Sequence, residues 1–162
     1  MTHETSTQVP GFDWKVLLFS FQGRIRRQHF WIGWLILLGA GVVANWIPFL
    51  GLLIAIALIW PNLAIGVKRL HDMGQSGWLI VIPWVVTLVA LFVGLGTIGF
   101  SAVANAAALE NEDPAAIWAL IAPAFGVFGL IFLVNIGFLA WIGLTPGTNG
   151  DNRHGPDPKV AI

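Results

Sequence analysis

The sequence predicts an all-α membrane protein: four transmembrane helices in two antiparallel hairpins, preceded by a short N-terminal interfacial helix. Three observations carry this. The 162-residue chain is 57% hydrophobic and only 10% charged. Soluble domains carry roughly 25% charged residues, so a water-exposed fold of this composition would show large apolar patches. Four long apolar stretches divide the chain, at residues 30–47, 49–67, 78–100 and 117–144. Finally, all eight basic residues (Lys15, Arg24, Arg26, Arg27, Lys68, Arg69, Arg153 and Lys159) lie before the first stretch, between the second and third, or after the fourth. Translocating Lys and Arg is unfavourable, so both termini and the central loop are expected on the cytoplasmic side.

Each element follows in order. Residues 1–11 are polar, with Pro10 and Gly11 as breakers, and are expected to be disordered. Residues 12–158 form the membrane domain, and 159–162 a frayed end. Between 12 and 22, Phe12, Leu17, Leu18 and Phe21 recur at loose helical spacing over a length too short to span, which reads as an interfacial helix. The first span rises about 27 Å at 1.5 Å per residue, just enough for a hydrocarbon core of ~30 Å. Asn45 and Pro48 mark its outer end, and the second span follows almost at once, which makes the pair a hairpin. Pro61 interrupts that second span with a kink, and Asn62 is expected to satisfy the freed carbonyl or reach a neighbouring helix.

The third span starts at Trp78, and Gly94, Gly96 and Gly99 suit a close helix neighbour in its outer half. Residues 101–114 are Ala-rich and then acidic (Glu110, Glu112, Asp113), forming an outer segment that Pro114 resets. The fourth span is longer than needed and must tilt or project. Its Ala122 and Gly126 form a small-xxx-small pair. Trp14, Trp31, Trp34, Trp78 and Trp141 fall at the inner interface, Trp46 and Trp118 at the outer, while Trp60 and Trp84 are expected deeper, between helices. There is no cysteine, which excludes disulfides and thiol chemistry. Residues 1–29 hold no short apolar core with a cleavage site, so the first span is expected to be retained.

Three polar segments meet at the basic face: residues 23–31, 68–78, and 145–149 with 152–158. In the first, Gly23, Arg24, Arg27, Phe30 and Trp31 stand in a GR-x-x-R-x-x-FW pattern. In the second, Pro61, Leu63 and Ala64 lead into Lys68, Arg69, Leu70, His71, Asp72, Gly74, Ser76, Gly77 and Trp78. In the third, Pro146, Gly147, Asn152, Gly155, Asp157 and Pro158 close the chain. With these blocks the chain resembles the bacterial integral-membrane family called domain of unknown function 805, over residues from about 12 to 158. The resemblance implies four spans in the bacterial inner membrane and brings no established reaction. The chain departs from the family pattern at Leu144–Thr145, where Gly-Thr is expected, and His154 takes a position usually aromatic.

The candidate binding residues are Arg24, Arg27, Lys68, Arg69, His71 and Asp72. One account is structural: positive-inside anchors, a helix end, a turn, and an ion pair of Asp72 with Arg24, Arg27 or Arg69. Arg24 and Arg27 would share a helix face at i,i+3 spacing. Another is functional: cations beside glycine-rich turns would hold a phosphate, on a lipid headgroup or a small ligand. A metal site from His71, Asp72, His154 and Asp157 has the ligand types but not the i,i+4 His spacing. A catalytic His71–Asp72 dyad would need loop geometry, since adjacent residues point apart on a helix. No catalytic residue, metal or cofactor is assigned, and no nucleic-acid-binding signature is present. Expected partners are membrane lipids, anionic ones included, and a second copy or another membrane protein. The sequence reads best as a non-enzymatic inner-membrane protein that organises lipid or a partner from its basic face. A transporter or channel component and a membrane enzyme using His71 and Asp72 are the alternatives.

Overall fold

A computed structural model describes residues 14–47 and 50–159 of the chain. The disorder expected at 1–11, the fraying expected at 160–162, and Pro48 at the expected hairpin lie outside them. Among the described residues the secondary structure is helical, with one isolated antiparallel bridge, Asn152 to Gly155. The helices are α1 (Trp14–Phe19), α2 (Arg27–Ala44), α3 (Leu50–Asp72), α4 (Val81–Ala104), α5 (Ala106–Glu110) and α6 (Pro114–Leu144), with a 3-10 turn (Gly77–Ile80) before α4. They fall into two compact units, one within Met1–Ile80 and Ile142–Ile162, the other Val81–Trp141.

Three segments are long and apolar enough to cross a membrane: Leu50–Asp72, Gly77–Ala104 and Pro114–Leu144. At 1.5 Å per residue they rise about 34, 42 and 46 Å, all beyond a ~30 Å hydrocarbon core. α2 has 18 residues, but its first turn is Arg27, Gln28 and His29, so its apolar part begins only at Phe30.

In the first unit, α2 and α3 run side by side in opposite directions. A Cβ on Gly33 would lie 3.6 Å from Ile65, and one on Gly41 would lie 3.8 Å from Leu58. The buried larger apolar residues and alanines of the two helices are Phe30, Leu37, Ala44, Ala64, Ile65 and Leu70. α1 covers the flank of α3: its Leu17 is buried, and the Trp60 indole donates to Phe19 O at 3.3 Å. Trp60 therefore does not pack between spanning helices as expected. It holds the end of α1, with Phe21 edge-on at 4.9 Å. In the second unit, α4 and α6 meet where a Cβ on Gly94 would lie 2.6 Å from Val127 and where Asn135 donates to Thr87 at 3.2 Å. Gly126 has nothing within 4 Å of a built Cβ, so the expected small-residue pair is not the contact, and Gly96 and Gly99 are equally open.

Several boundaries move for identifiable reasons. α3 runs on to Asp72, so the block from Lys68 is a helix end and not a loop. α6 starts at Pro114 rather than 117, because Asp113 Oδ1 accepts from Ala115 N at 2.9 Å and proline is favoured at the first helical position. The acidic segment thus caps a helix. Pro61 lies inside α3, where the Asn62 amide donates to Leu58 O at 2.8 Å and not to the carbonyl proline frees. Outward-facing Phe92, Leu95, Phe100, Phe125 and Leu133 are each at least two-thirds exposed, a surface that water would oppose and lipid would not.

Candidate functional site

The site forms at the last turn of α3. Arg69 and Asp72 are i,i+3 and share a face, while Lys68, although i,i+4 from Asp72, turns to the carbonyls of Val16 and Leu17. A carboxylate at a helix C-terminus opposes the backbone dipole, so it requires cations nearby. Two supply them. Asp72 Oδ1 accepts from Arg24 Nε at 3.2 Å and from Arg24 Nη2 at 3.1 Å, and Oδ2 accepts from Arg69 Nη1. These side chains are almost wholly covered: 1% exposed for Arg24, 0% for Arg69 and 7% for Asp72.

The rest of each guanidinium is taken by backbone carbonyls from the end of the chain. Arg24 donates to Thr148 O and Gly150 O, both at 2.7 Å, and to Gly155 O at 3.3 Å. Arg69 donates to Ile142 O at 2.8 Å and to Thr145 O. The C-terminal segment in turn caps α3. Thr148 N donates to Asp72 O at 2.8 Å, and the Asn152 amide to His71 O at 3.0 Å. The helix closes as a Schellman motif: Gln75 N donates to Leu70 O and Gly74 N to His71 O, with Gly74 at φ +71. Gly147 is required for a different reason. A Cβ there would fall on the carboxylate of Asp72. Pro146–Gly147 in the closing block is therefore the place where the chain passes over that carboxylate.

The tail beyond is a tight hairpin. Asp157 accepts from Gly150 N at 2.8 Å and from Lys159 N at 2.9 Å. The amide hydrogens of Lys159 first, then of Gly150, hold its carboxyl below the usual aspartate value. His154 stacks on His71, ring centroids 3.9 Å apart and 5° from parallel, and its Nε2 accepts from Arg153 Nε at 3.0 Å. The flat ring of His154 fits this parallel stack.

The structure thus brings Arg24, Arg69, His71 and Asp72 together and separates the other two candidates. α2 begins only at Arg27, so Arg24 and Arg27 do not share a helix face, and Arg27 donates to Leu144 O at 3.1 Å. Lys68, 2% exposed, donates to Val16 O and Leu17 O at the end of α1. Both oxygens of Asp72 are held by arginines, and His71 Nδ1 faces Gly23 O at 3.3 Å, so Asp72 does not orient the imidazole. Among the described residues no group of three or more His, Cys, Asp or Glu could hold a metal ion.

Beside this clamp lies a cleft of about 310 Å³ at the N-terminus of α2, lined by Arg26, Arg27, Gln28, Gly147 and Lys159, with the arginine-paired Asp72 also on its wall. Arg26 and Lys159 were not singled out from the sequence. Their signal was the closing block itself, whose Pro158 O accepts from Arg26 Nε at 2.6 Å.

Residues 18–156 match the family described as protein of unknown function (DUF805). The chain belongs to this family. It is 32% identical over 153 residues to the uncharacterized protein YiiR of Escherichia coli K12, covering 88% of each chain. It is 35% identical over 147 residues to the inner membrane protein YhaI of the same organism, covering 86% of each. No solved structure matches it. In this DUF805 chain the three polar blocks are one object: the first supplies Arg24, the second Arg69 and Asp72, and the third the carbonyls and Gly147 that close over them.

Proposed function

We propose that this DUF805 protein is a four-span, non-enzymatic protein of the bacterial inner membrane that holds anionic lipid, or a membrane partner with an anionic group, at its cytoplasmic face. In this reading α2, α3, α4 and α6 cross the bilayer as two hairpins, α1 lies in the inner interface, and both termini are cytoplasmic. The name of its relative YhaI and the three long apolar helices support the location. The distribution of Lys and Arg supports the orientation.

The observation that carries the lipid reading is the cleft at the start of α2. Arg26, Arg27 and Lys159 line it, and Arg27 is exposed. The first amides of α2 have no side-chain cap, so the positive end of the helix also faces the region where an anion would sit. Arg24, Lys68, Arg69 and Asp72 serve this reading as the frame that fixes the cleft, since their charges are spent internally. His71 does the same through its stack on His154.

Native mass spectrometry across lipids tests it. The protein retains phosphatidylglycerol or cardiolipin over phosphatidylethanolamine, and Arg27→Gln with Lys159→Gln weakens that preference. Each cation near an anionic surface contributes on the order of 1 kcal/mol, so two removed amount to about 2 kcal/mol, or roughly thirtyfold at low salt. Equal retention by the double variant sinks the lipid reading. Orientation is tested separately by single-cysteine labelling from the periplasmic side, which modifies position 111 and spares 74 and 150.

A further inference from the structure

A second cavity, of about 200 Å³, lies on the other side of Arg24 and shares no lining residue with the cleft at the start of α2. Its wall includes Lys68, Gln22, Gly23, Ile25 and His29. Lys68 is its unusual member. The side chain is 2% exposed, yet no carboxylate contacts it among the described residues: its partners are the carbonyls of Val16 and Leu17. Asp72, four residues on, is taken up by Arg24 and Arg69. A buried ammonium is costly unless it is paired as well as hydrogen-bonded. The dipole of α1 offsets little, because a six-residue helix is short. An ammonium has three N–H donors, and two are used.

We propose that this cavity binds a single phosphate group, which supplies the counter-charge that Lys68 lacks. Lys68 would give its third N–H and the Gln22 amide a further donor, with the His29 ring on the same wall. The turn at Gly23, held at φ +87, keeps the backbone clear of the space, with nothing within 4 Å of a built Cβ. Arg24 adds its charge from behind, although its N–H groups are engaged elsewhere. The α1 end of the site would sit at headgroup depth in the orientation proposed above, so the phosphate could belong to a lipid monoester or be free. The chemistry of recognition is the same for both.

The test uses the full chain in neutral detergent. Thermal unfolding is followed while inorganic phosphate is added in one arm and phosphatidic acid in the other, each against chloride at equal ionic strength. A rise of the midpoint with phosphate alone assigns a free ligand, and with phosphatidic acid alone a headgroup. Lys68→Met abolishes the response. Gln22→Leu, at an exposed position, weakens apparent affinity about tenfold through one lost charge-assisted bond, and serves should Lys68→Met not fold. Arg27→Gln with Lys159→Gln leaves the response intact, which separates this cavity from the lipid cleft. No response to either phosphate source overturns the proposal, and so does a wild-type response in Gln22→Leu or in Lys68→Met.

Discussion

Replacing Asp72 with alanine removes the one negative charge between two buried cations. Arg24 and Arg69, 1% and 0% exposed, would then face each other without a counter-ion. Breaking a buried pair by deleting one partner costs about 3–5 kcal/mol, because a desolvated charge is left behind. Here both guanidiniums keep carbonyl partners, those of Thr148, Gly150 and Gly155 for Arg24 and of Ile142 and Thr145 for Arg69. That puts the expected loss at the lower end, about 3 kcal/mol, or a roughly hundredfold shift in the unfolding equilibrium. Reversible unfolding in mixed detergent, followed by helicity, is the assay. Asp157→Ala, which disturbs only the tail hairpin, should lose much less. An Asp72→Ala protein within about 0.5 kcal/mol of wild type would refute the reasoning, because changes of that size are typical of surface positions.

Three further outcomes follow from the same geometry. Gly147→Ala drives a methyl group into the carboxylate that two arginines pin, so it should destabilise by about 1–3 kcal/mol in the same assay, whereas Gly39→Ala, with open space around it, should not. Asp157 has a folded pKa below its ordinary 3.8, so the folded tail binds fewer protons than the unfolded one; its stabilisation is complete above that value and is lost as pH falls through the folded pKa. Hydrogen exchange at the Gly150 and Lys159 amides should therefore stay slow from neutrality down to about pH 4 and quicken below, with no such step in Asp157→Asn. His154→Phe keeps a flat ring on His71 and should preserve the tail hairpin by the same exchange measurement, while His154→Ala should loosen it.

The helices were legible because their signal is local. An apolar stretch declares its length, and the basic residues declare its ends, so α3, α4 and α6 stand close to where hydropathy puts them. Asp113 and Pro114 show what hydropathy misses: a capping side chain starts α6 before the apolar run begins. The partner of Asp72 was narrowed to three arginines by charge and position, and two of the three are bonded to it. What stayed hidden was the closing segment. The Thr148 amide and the carbonyls of Ile142, Thr145, Thr148, Gly150 and Gly155 act through backbone groups, which residues carry alike, so their identity says little about their use. Gly147 was visible as a motif position, but the reason for it is the location of a side chain 75 residues away in sequence.

The clamp also dates the protein's assembly. Arg24, Arg69 and Asp72 are synthesised some seventy or more residues before the carbonyls of residues 142–155 that complete the two arginines. Until then the cluster is two cations against one carboxylate, with a net positive charge. Only when Ile142–Gly155 arrives are the arginines covered. A chain stopped at residue 141 would hold every long helix but the last three residues of α6, and would leave both arginines without the carbonyls that cover them.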